Sequence, residues 1–346
     1  MKQYSILPLI ICLYLCLSGC YSDIDLEDLR TQPQLVLNSI VVAGEPVKAF
    51  VSQSWFHTDE DQPRDSLWQA EVELHVNGQL KEKMPWQPSD GATTWRGYFG
   101  AGYKPASGDR IKITARAEGF EGISAESVVP RAIPVDAFRM TPLAVDEEDT
   151  WRVGVPYRLS VTFTDPGGQE DFYFIRFMAY HPVWDPVRKE YTDEYRWTAL
   201  SINYEDEPVF ANDLSVLDKL FDYGYLSSTQ GRAFNDELFD GKSYTMHVKT
   251  YRVYSAYSDY GGDGPWFNDD FPETPPKVYF YAFLYTFSRD YYHYMKGLVA
   301  LSDGSFQNDL IDAGISEPIP LFCNVENGLG ILGACSPDSV GVLLEE

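Results

Sequence analysis

Five histidines, His57, His75, His181, His247 and His293, are the residues best suited to metal binding and proton transfer, and they are scattered along the chain. No H-x-x-x-H pair occurs, so the helical zinc site of a metallohydrolase is not expected. No G-x-S-x-G elbow presents a serine nucleophile. The glycines of residues 97–102 lack the lysine and the strand–loop–helix setting of a phosphate cradle, and they predict a β-turn. Carboxylates are the abundant reactive type, with 52 Asp and Glu against 27 Lys and Arg, so close acidic pairs arise by number alone. The most suggestive acidic loop spans 258–271, SDYGGDGPWFNDDF. There Asp259, Asp263, Asp269 and Asp270 offer hard oxygen donors on a glycine-rich segment able to hold calcium. Their spacing is not that of an EF-hand, and a plain or partner-contacting loop accounts for the same residues. Hydrolysis is therefore the least supported activity, no cofactor is implied, and the chain reads as non-enzymatic.

The thiol with a defined chemistry is Cys20. Residues 6–17, ILPLIICLYLCL, form an apolar stretch of 12 residues behind Lys2, too short to span a bilayer comfortably. Leu17-Ser18-Gly19-Cys20 closes that stretch and resembles a bacterial lipobox, in which the cysteine takes up a diacylglycerol and becomes the new N-terminus. Each buried methylene contributes roughly 0.8 kcal/mol, so one acyl chain holds marginally and two or three hold firmly. Residues 1–19 are read as a lipoprotein signal peptide, with the lipid as the only membrane anchor. Residues 20–33 form an acidic tether carrying Asp23, Asp25, Glu27 and Asp28. Cys12 and Cys16 leave with the signal peptide, so Cys323 and Cys335 remain in the mature chain. In an oxidising compartment they predict a disulfide, with Gly328, Gly330 and Gly333 letting the chain turn back between them. Closing so short a loop would contribute roughly 3 kcal/mol.

Positioning these groups falls to a mainly β chain. From Gln34 to Pro130 about seven short alternating segments are separated by turn signals, the clearest being Asn77-Gly78 after Val72, Leu74 and Val76. This predicts an immunoglobulin-like β-sandwich over 34–130. Pro130 and Pro134 bracket a linker, and a second β-rich domain with one or two short helices is expected over 135–346. Its strands include YRLSVTFTD and DFYFIRFMAY, joined by the turn Asp165-Pro166-Gly167-Gly168. Helix periodicity marks 212–224 and the segment beginning at Ser288. Residues 180–197 predict a long exposed hairpin tip. A net charge of −25 would repel a phosphate backbone, so nucleic acid is not an expected partner. Aromatics make up 15% of the chain, enough for some to serve an interface as well as the core.

Four blocks carry a family likeness: FTDPGGQEDFYFIRF (163–177), FNDELFDGKSYTMHV (234–248), LYTFSRDYYHYMKGL (284–298) and EPIPLFCNVENGLGILGACS (317–336). With PQLVLNSIVVAGEPVKAFVSQS and the lipobox, they resemble Bacteroidota lipoproteins catalogued as domain of unknown function 4249. The resemblance implies an outer-membrane lipoprotein with an N-terminal sandwich, accompanying a TonB-dependent transporter in nutrient uptake or in outer-membrane and surface-lipoprotein assembly. It carries over no catalytic or binding residues. In this phylum, acidic residues after the lipidated cysteine resemble a signal for display at the cell surface, the role expected of Asp23, Asp25, Glu27 and Asp28 unless they are only a solvated spacer. Asp65-Ser66-Leu67 and Asp338-Ser339-Val340 resemble the short O-glycosylation sequon of the phylum, making Ser66 and Ser339 candidates. A calcium-assisted glycan- or glycopeptide-binding protein is the alternative reading.

Overall fold

The computed structural model describes residues 30–56, 59, 67–88, 97–144, 156–185, 187–188, 190–211, 227–228, 231–250, 277–302 and 321–343. Cys20, Asp23, Asp25, Glu27, Asp28, Ser66, Asp259, Asp263, Asp269, Asp270 and the helix expected over 212–224 lie outside the described residues.

The chain is mainly β. The first strands are β1 (Leu35–Val42), β2 (Lys48–Gln53), β3 (Glu71–Val76), β4 (Gln79–Lys83), β5 (Trp86–Pro88), β6 (Gly97–Gly100), β7 (Arg110–Arg116) and β8 (Ile123–Val128). Then come β9 (Val135–Pro142), β10 (Tyr157–Thr164), β11 (Phe172–Asp185), β12 (Glu190–Ala199), β13 (Ile202–Asn203), β14 (Ser227–Ser228), β15 (Arg232–Asn235) and β16 (Ser243–Thr250). The described chain closes with β17 (Tyr279–Phe287), helix α1 (Arg289–Ser302) and the 15-residue β18 (Leu329–Leu343). Strands form where apolar residues alternate: β3 buries Val72, Leu74 and Val76 and turns its other residues outward. Asn77 (φ 52°) and Gly78 (φ 81°) link β3 to β4, both left-handed as a two-residue type I′ turn requires.

These strands build three sheets. A nine-stranded sheet runs β12-β11-β17-β18-β1-β2-β6-β5, with β15 also on β11. A four-stranded sheet runs β4-β3-β7-β8 and a five-stranded sheet β14-β13-β16-β10-β9. The four-stranded sheet packs on the β1–β2–β6 part of the large sheet, enclosing Leu37, Val51, Leu74, Phe99 and Ile113. The five-stranded sheet packs on the β11–β17 part, enclosing Phe163, Tyr173, Ile175, Met246 and Phe280. The result is two β-sandwiches side by side that share a wall: the mainly β class is as the sequence predicts, and the β-rich second half is itself a sandwich.

That wall is β18. It runs parallel to β1, with Leu37 opposite Gly330 and Val42 opposite Cys335. It runs antiparallel to β17, with Phe287 opposite Cys335 and Phe283 opposite Ser339. Successive side chains of a strand alternate between faces. Leu332 and Ala334 accordingly enter the first core, while Val340 and Val342, on the same face, pack against the second. The nine-stranded sheet thus takes strands from both sides of residue 130. Gly330 has φ 113°, and a Cβ there would stand 2.1 Å from the Leu37 carbonyl oxygen, so only glycine admits this approach of β18 to β1.

The opposite face of the sheet carries α1. Ser288 Oγ accepts hydrogen bonds from Tyr291 N in the first turn, at 3.4 Å, and from Ala334 N of β18, at 3.1 Å. The Asn324 side chain takes a strand's place beside Leu332, accepting from its N at 2.9 Å and donating to its O at 3.0 Å. It also donates to Asp290 of α1 at 2.8 Å.

Two expectations are corrected here. Residues 97–100 form strand β6 rather than a β-turn, because they pair with β5 and β2. The Cys323–Cys335 disulfide is not formed: both thiols are free. Cys335 is buried beneath α1 with Phe172, Phe174, Ala233 and Phe287, whereas Cys323 is exposed and lies 3.7 Å from the Gly328 carbonyl oxygen. Gly330 and Gly333 are residues of an extended strand, and the reversal before it, at Asn327 and Gly328, sets Asn324 beside Leu332 rather than Cys323 beside Cys335.

Candidate functional site

The outer face of β12, β11 and β17 bears a continuous aromatic row. Register creates it: Tyr180 stands opposite Trp197 on one side and Tyr279 on the other, and Arg176 stands opposite Phe283. Centroid separations are 5.0 Å for Tyr195–Tyr180, 4.8 Å for Tyr180–Trp197, 4.9 Å for Trp197–Tyr281 and 5.6 Å for Trp197–Phe283. Helix α1 packs on the Phe172–Phe287–Cys335 end of this face. At the other end Trp197 is 46% and Tyr195 40% exposed. Half-exposed Trp and Tyr with neighbouring rings to hold them are the residue types that anchor interfaces. Beyond them β11 and β12 continue as a hairpin that is paired strand over most of 180–197, with His181 and Pro182 buried rather than exposed as expected. Only its end is open, where Asp185 accepts from Val187 N and Arg188 N and Val187 is almost wholly exposed. Ser339 is exposed on β18 directly across from Phe283, so this glycosylation candidate borders the aromatic row. Its neighbour Asp338 is engaged, accepting from Val135 N at 2.7 Å.

A second constellation lies at one end of the second sandwich. Asp165 follows β10, Asp171 precedes β11 and Asp236 follows β15, and all three are buried. One carboxylate oxygen of each lies within 4.8 Å of the others. Asp165 is well satisfied: Tyr173 Oη donates to Oδ1 at 2.5 Å, and Gly167 N and Gly241 N donate to Oδ2 at 2.8 and 2.7 Å. Asp236 Oδ2 accepts from Asp171 N at 3.0 Å, and Gln169 Nε2 donates to Asp171 Oδ1 at 2.8 Å. Asp171 Oδ2 is buried and has no hydrogen-bond partner. Burial, with the Asp165 charge adding to it, pushes the Asp171 and Asp236 carboxyls above the usual range. Burial and the bond to Asp165 likewise raise the Tyr173 phenol. Among the described residues no ion pair reaches any of the three. The sequence reading missed this cluster because acids are everywhere in the chain. The available signal was position: Asp165 and Asp171 flank a turn between two strongly apolar strands, where an acid is drawn into the core.

Ser160 Oγ lies 2.9 Å from His247 Nδ1, a contact with the look of a nucleophile and its base. The two residues are directly opposed partners on β10 and β16, and no described residue bonds the other ring nitrogen to orient it. The contact is a cross-strand pair. Behind it the buried Glu207 accepts from Tyr244 Oη and, at 2.6 Å, from His247 N, and burial raises its carboxyl above the ordinary range. Among the described residues no helix is long and apolar enough to cross a membrane.

A two-sandwich β protein with a strand shared by both sandwiches, an exposed aromatic row and a buried carboxylate cluster defines a class by architecture only. Family membership is more specific: a model described as Domain of unknown function (DUF4249) matches residues 22–340, and the chain belongs to that family. No curated protein matches the chain. Among solved structures it is similar to a Salmonella alpha-2-macroglobulin mutant, with 12% identity, over 74% of this chain and 14% of that one, at a TM-score of 0.23. A likeness that loose carries neither fold nor function.

Proposed function

We propose that the protein is a non-enzymatic Bacteroidota lipoprotein, anchored in the outer membrane through Cys20 and displayed at the cell surface. It serves there as a binding or accessory subunit of a TonB-dependent transporter-type complex, in nutrient uptake or in outer-membrane and surface-lipoprotein assembly. The lipobox-like Leu17-Ser18-Gly19-Cys20 supports the anchor, and Asp23, Asp25, Glu27 and Asp28 support the destination. The tether of residues 20–33 reaches at most about 50 Å when extended, which keeps the body beside the membrane and any barrel in it.

The observation that carries the binding role is the exposed aromatic row around Trp197 and Tyr195. A protein partner fits it because interface cores concentrate Trp, Tyr and Arg, and Arg176 lies in the same face. The test is affinity purification of the tagged chain from detergent-solubilised membranes. Co-purification of a transporter-type barrel, lost in Trp197→Ala, is expected; absence of any barrel overturns the proposal. Exposed Trp and Tyr rings also suit sugar stacking, and a glycan array read with calcium and with chelator decides that reading: a specific glycan signal favours it, and an empty array removes it.

A further inference from the structure

The geometry points to Asp165, Asp171 and Asp236 as a binding site for a hard divalent cation of the Ca²⁺ class, clamping the β10–β11 turn to the β15–β16 turn. This site is built from other residues than the aromatic face and uses none of the loop acids at 259–270, and it does not rest on the proposed function.

The ligand set is the first ground. Three carboxylates offer only oxygen donors, the choice of calcium and magnesium rather than of zinc or copper. Calcium holds oxygens at about 2.3–2.6 Å, so two ligands of one ion lie no more than about 5 Å apart. One oxygen of each aspartate lies within 4.8 Å of the others, inside that limit.

Asp171 is the second and independent ground. Packing explains the other two: Asp165 holds together both glycine turns and Tyr173, and Asp236 accepts from Asp171 N. Neither role explains Asp171 Oδ2. The residue is 8% exposed, and that oxygen is buried without a hydrogen bond. A buried carboxylate oxygen left unpaired is costly, and here two further carboxylates stand beside it, with no ion pair to any of the three among the described residues. An oxygen-lined cation supplies the missing partner. The surroundings favour cations generally, since a chain of net charge −25 concentrates them at its surface.

Purified full-length protein, stripped with chelator, provides the test. CaCl₂ and, separately, MgCl₂ are titrated in by calorimetry, and thermal unfolding is followed in each ion and in EDTA. The expected result is saturable calcium binding, at least tenfold weaker in Asp171→Asn, with a calcium-dependent rise in Tm that the variant lacks. Asp171→Asn keeps the oxygen that accepts from Gln169, so the site retains its shape. A variant carrying Asp269→Asn and Asp270→Asn is expected to bind calcium as the wild type does. If Asp171→Asn does not fold, the wild type alone decides. No calorimetric heat and no Tm difference between calcium and EDTA overturns the inference. So does calcium binding abolished by the 269/270 variant, and so does a response to magnesium alone.

Discussion

Leu37, near the start of the described chain, and Gly330, near its end, are register partners in a parallel ladder, and the Leu37 carbonyl oxygen occupies the space a side chain on residue 330 would need. The first and last described strands are closed into one sheet at this contact, and β18 walls both sandwiches. Gly330→Ala therefore combines a strained left-handed backbone with a clash against β1. It is expected to lower stability by at least about 2 kcal/mol, seen as an earlier denaturant midpoint in one cooperative transition. An unchanged midpoint would separate β18 from the folding of the two sandwiches.

Glu207 shows how the second core handles a buried acid. Burial raises its carboxyl, against the lowering pull of Tyr244 Oη and His247 N. A raised folded value means the folded state holds more protons than the unfolded one, so Glu207's contribution is complete below the ordinary value of 4.5 and declines as pH rises through the folded value. Tyr244→Phe keeps the ring stacked on Phe239 but removes a donor. Its expected cost is about 1–3 kcal/mol, and that cost grows as pH climbs above 4.5, measured by urea titration across pH. A cost that is flat with pH contradicts this account of Glu207.

Much of this architecture could be read in advance, for reasons that particular residues make plain. Asn77-Gly78 is a local device: two left-handed residues specify a turn without help from elsewhere. Likewise Asp165-Pro166-Gly167-Gly168 reads as a turn and is one, with Gly167 and Gly168 both at positive φ. β18 could not be read the same way. Its glycines resemble a turn in sequence, yet Gly330 is required by Leu37, a residue from the far end of the chain. The carboxylate cluster failed for the same reason: Asp165 and Asp171 are near neighbours, but Asp236 joins them only once β15 pairs with β11. The aromatic row was half visible, since alternation put Tyr281 and Phe283 on one face of β17, while the register with Tyr180 and Trp197 was set by the hairpin.

The free thiols differ enough to be told apart chemically. Cys323 is exposed, whereas Cys335 is buried and its thiol is pushed up to about 12, chiefly by desolvation. Iodoacetamide on the native protein, read by peptide mass spectrometry, is expected to label Cys323, with Cys335 labelled only after denaturation. Failure of both to react in denaturant without a reductant would show that they are paired.

The N-terminal address has two separable parts. Cys20→Ala is expected to leave an unlipidated, uncleaved precursor, detected by its size and by loss of radiolabelled acyl chain. Replacing Asp23, Asp25, Glu27 and Asp28 with Asn or Gln is expected to preserve lipidation but to protect the body from protease added to intact cells. Unchanged digestion of that variant would reduce the four acids to a solvated spacer.

The binding role meets its most direct test in the membrane itself. Tagged wild type and Trp197→Ala are purified in detergent from membranes holding equal amounts of each, and co-purifying barrel is quantified. Trp197 is 46% exposed, so truncation should cost the fold little, about 1 kcal/mol for its ring contacts. A loss of about 2 kcal/mol or more at an aromatic anchor corresponds to roughly a 30-fold weaker complex. The account predicts a transporter-type barrel with the wild type and little or none with the folded variant. A wild type that emerges alone, or a variant that retains the barrel in full, contradicts it.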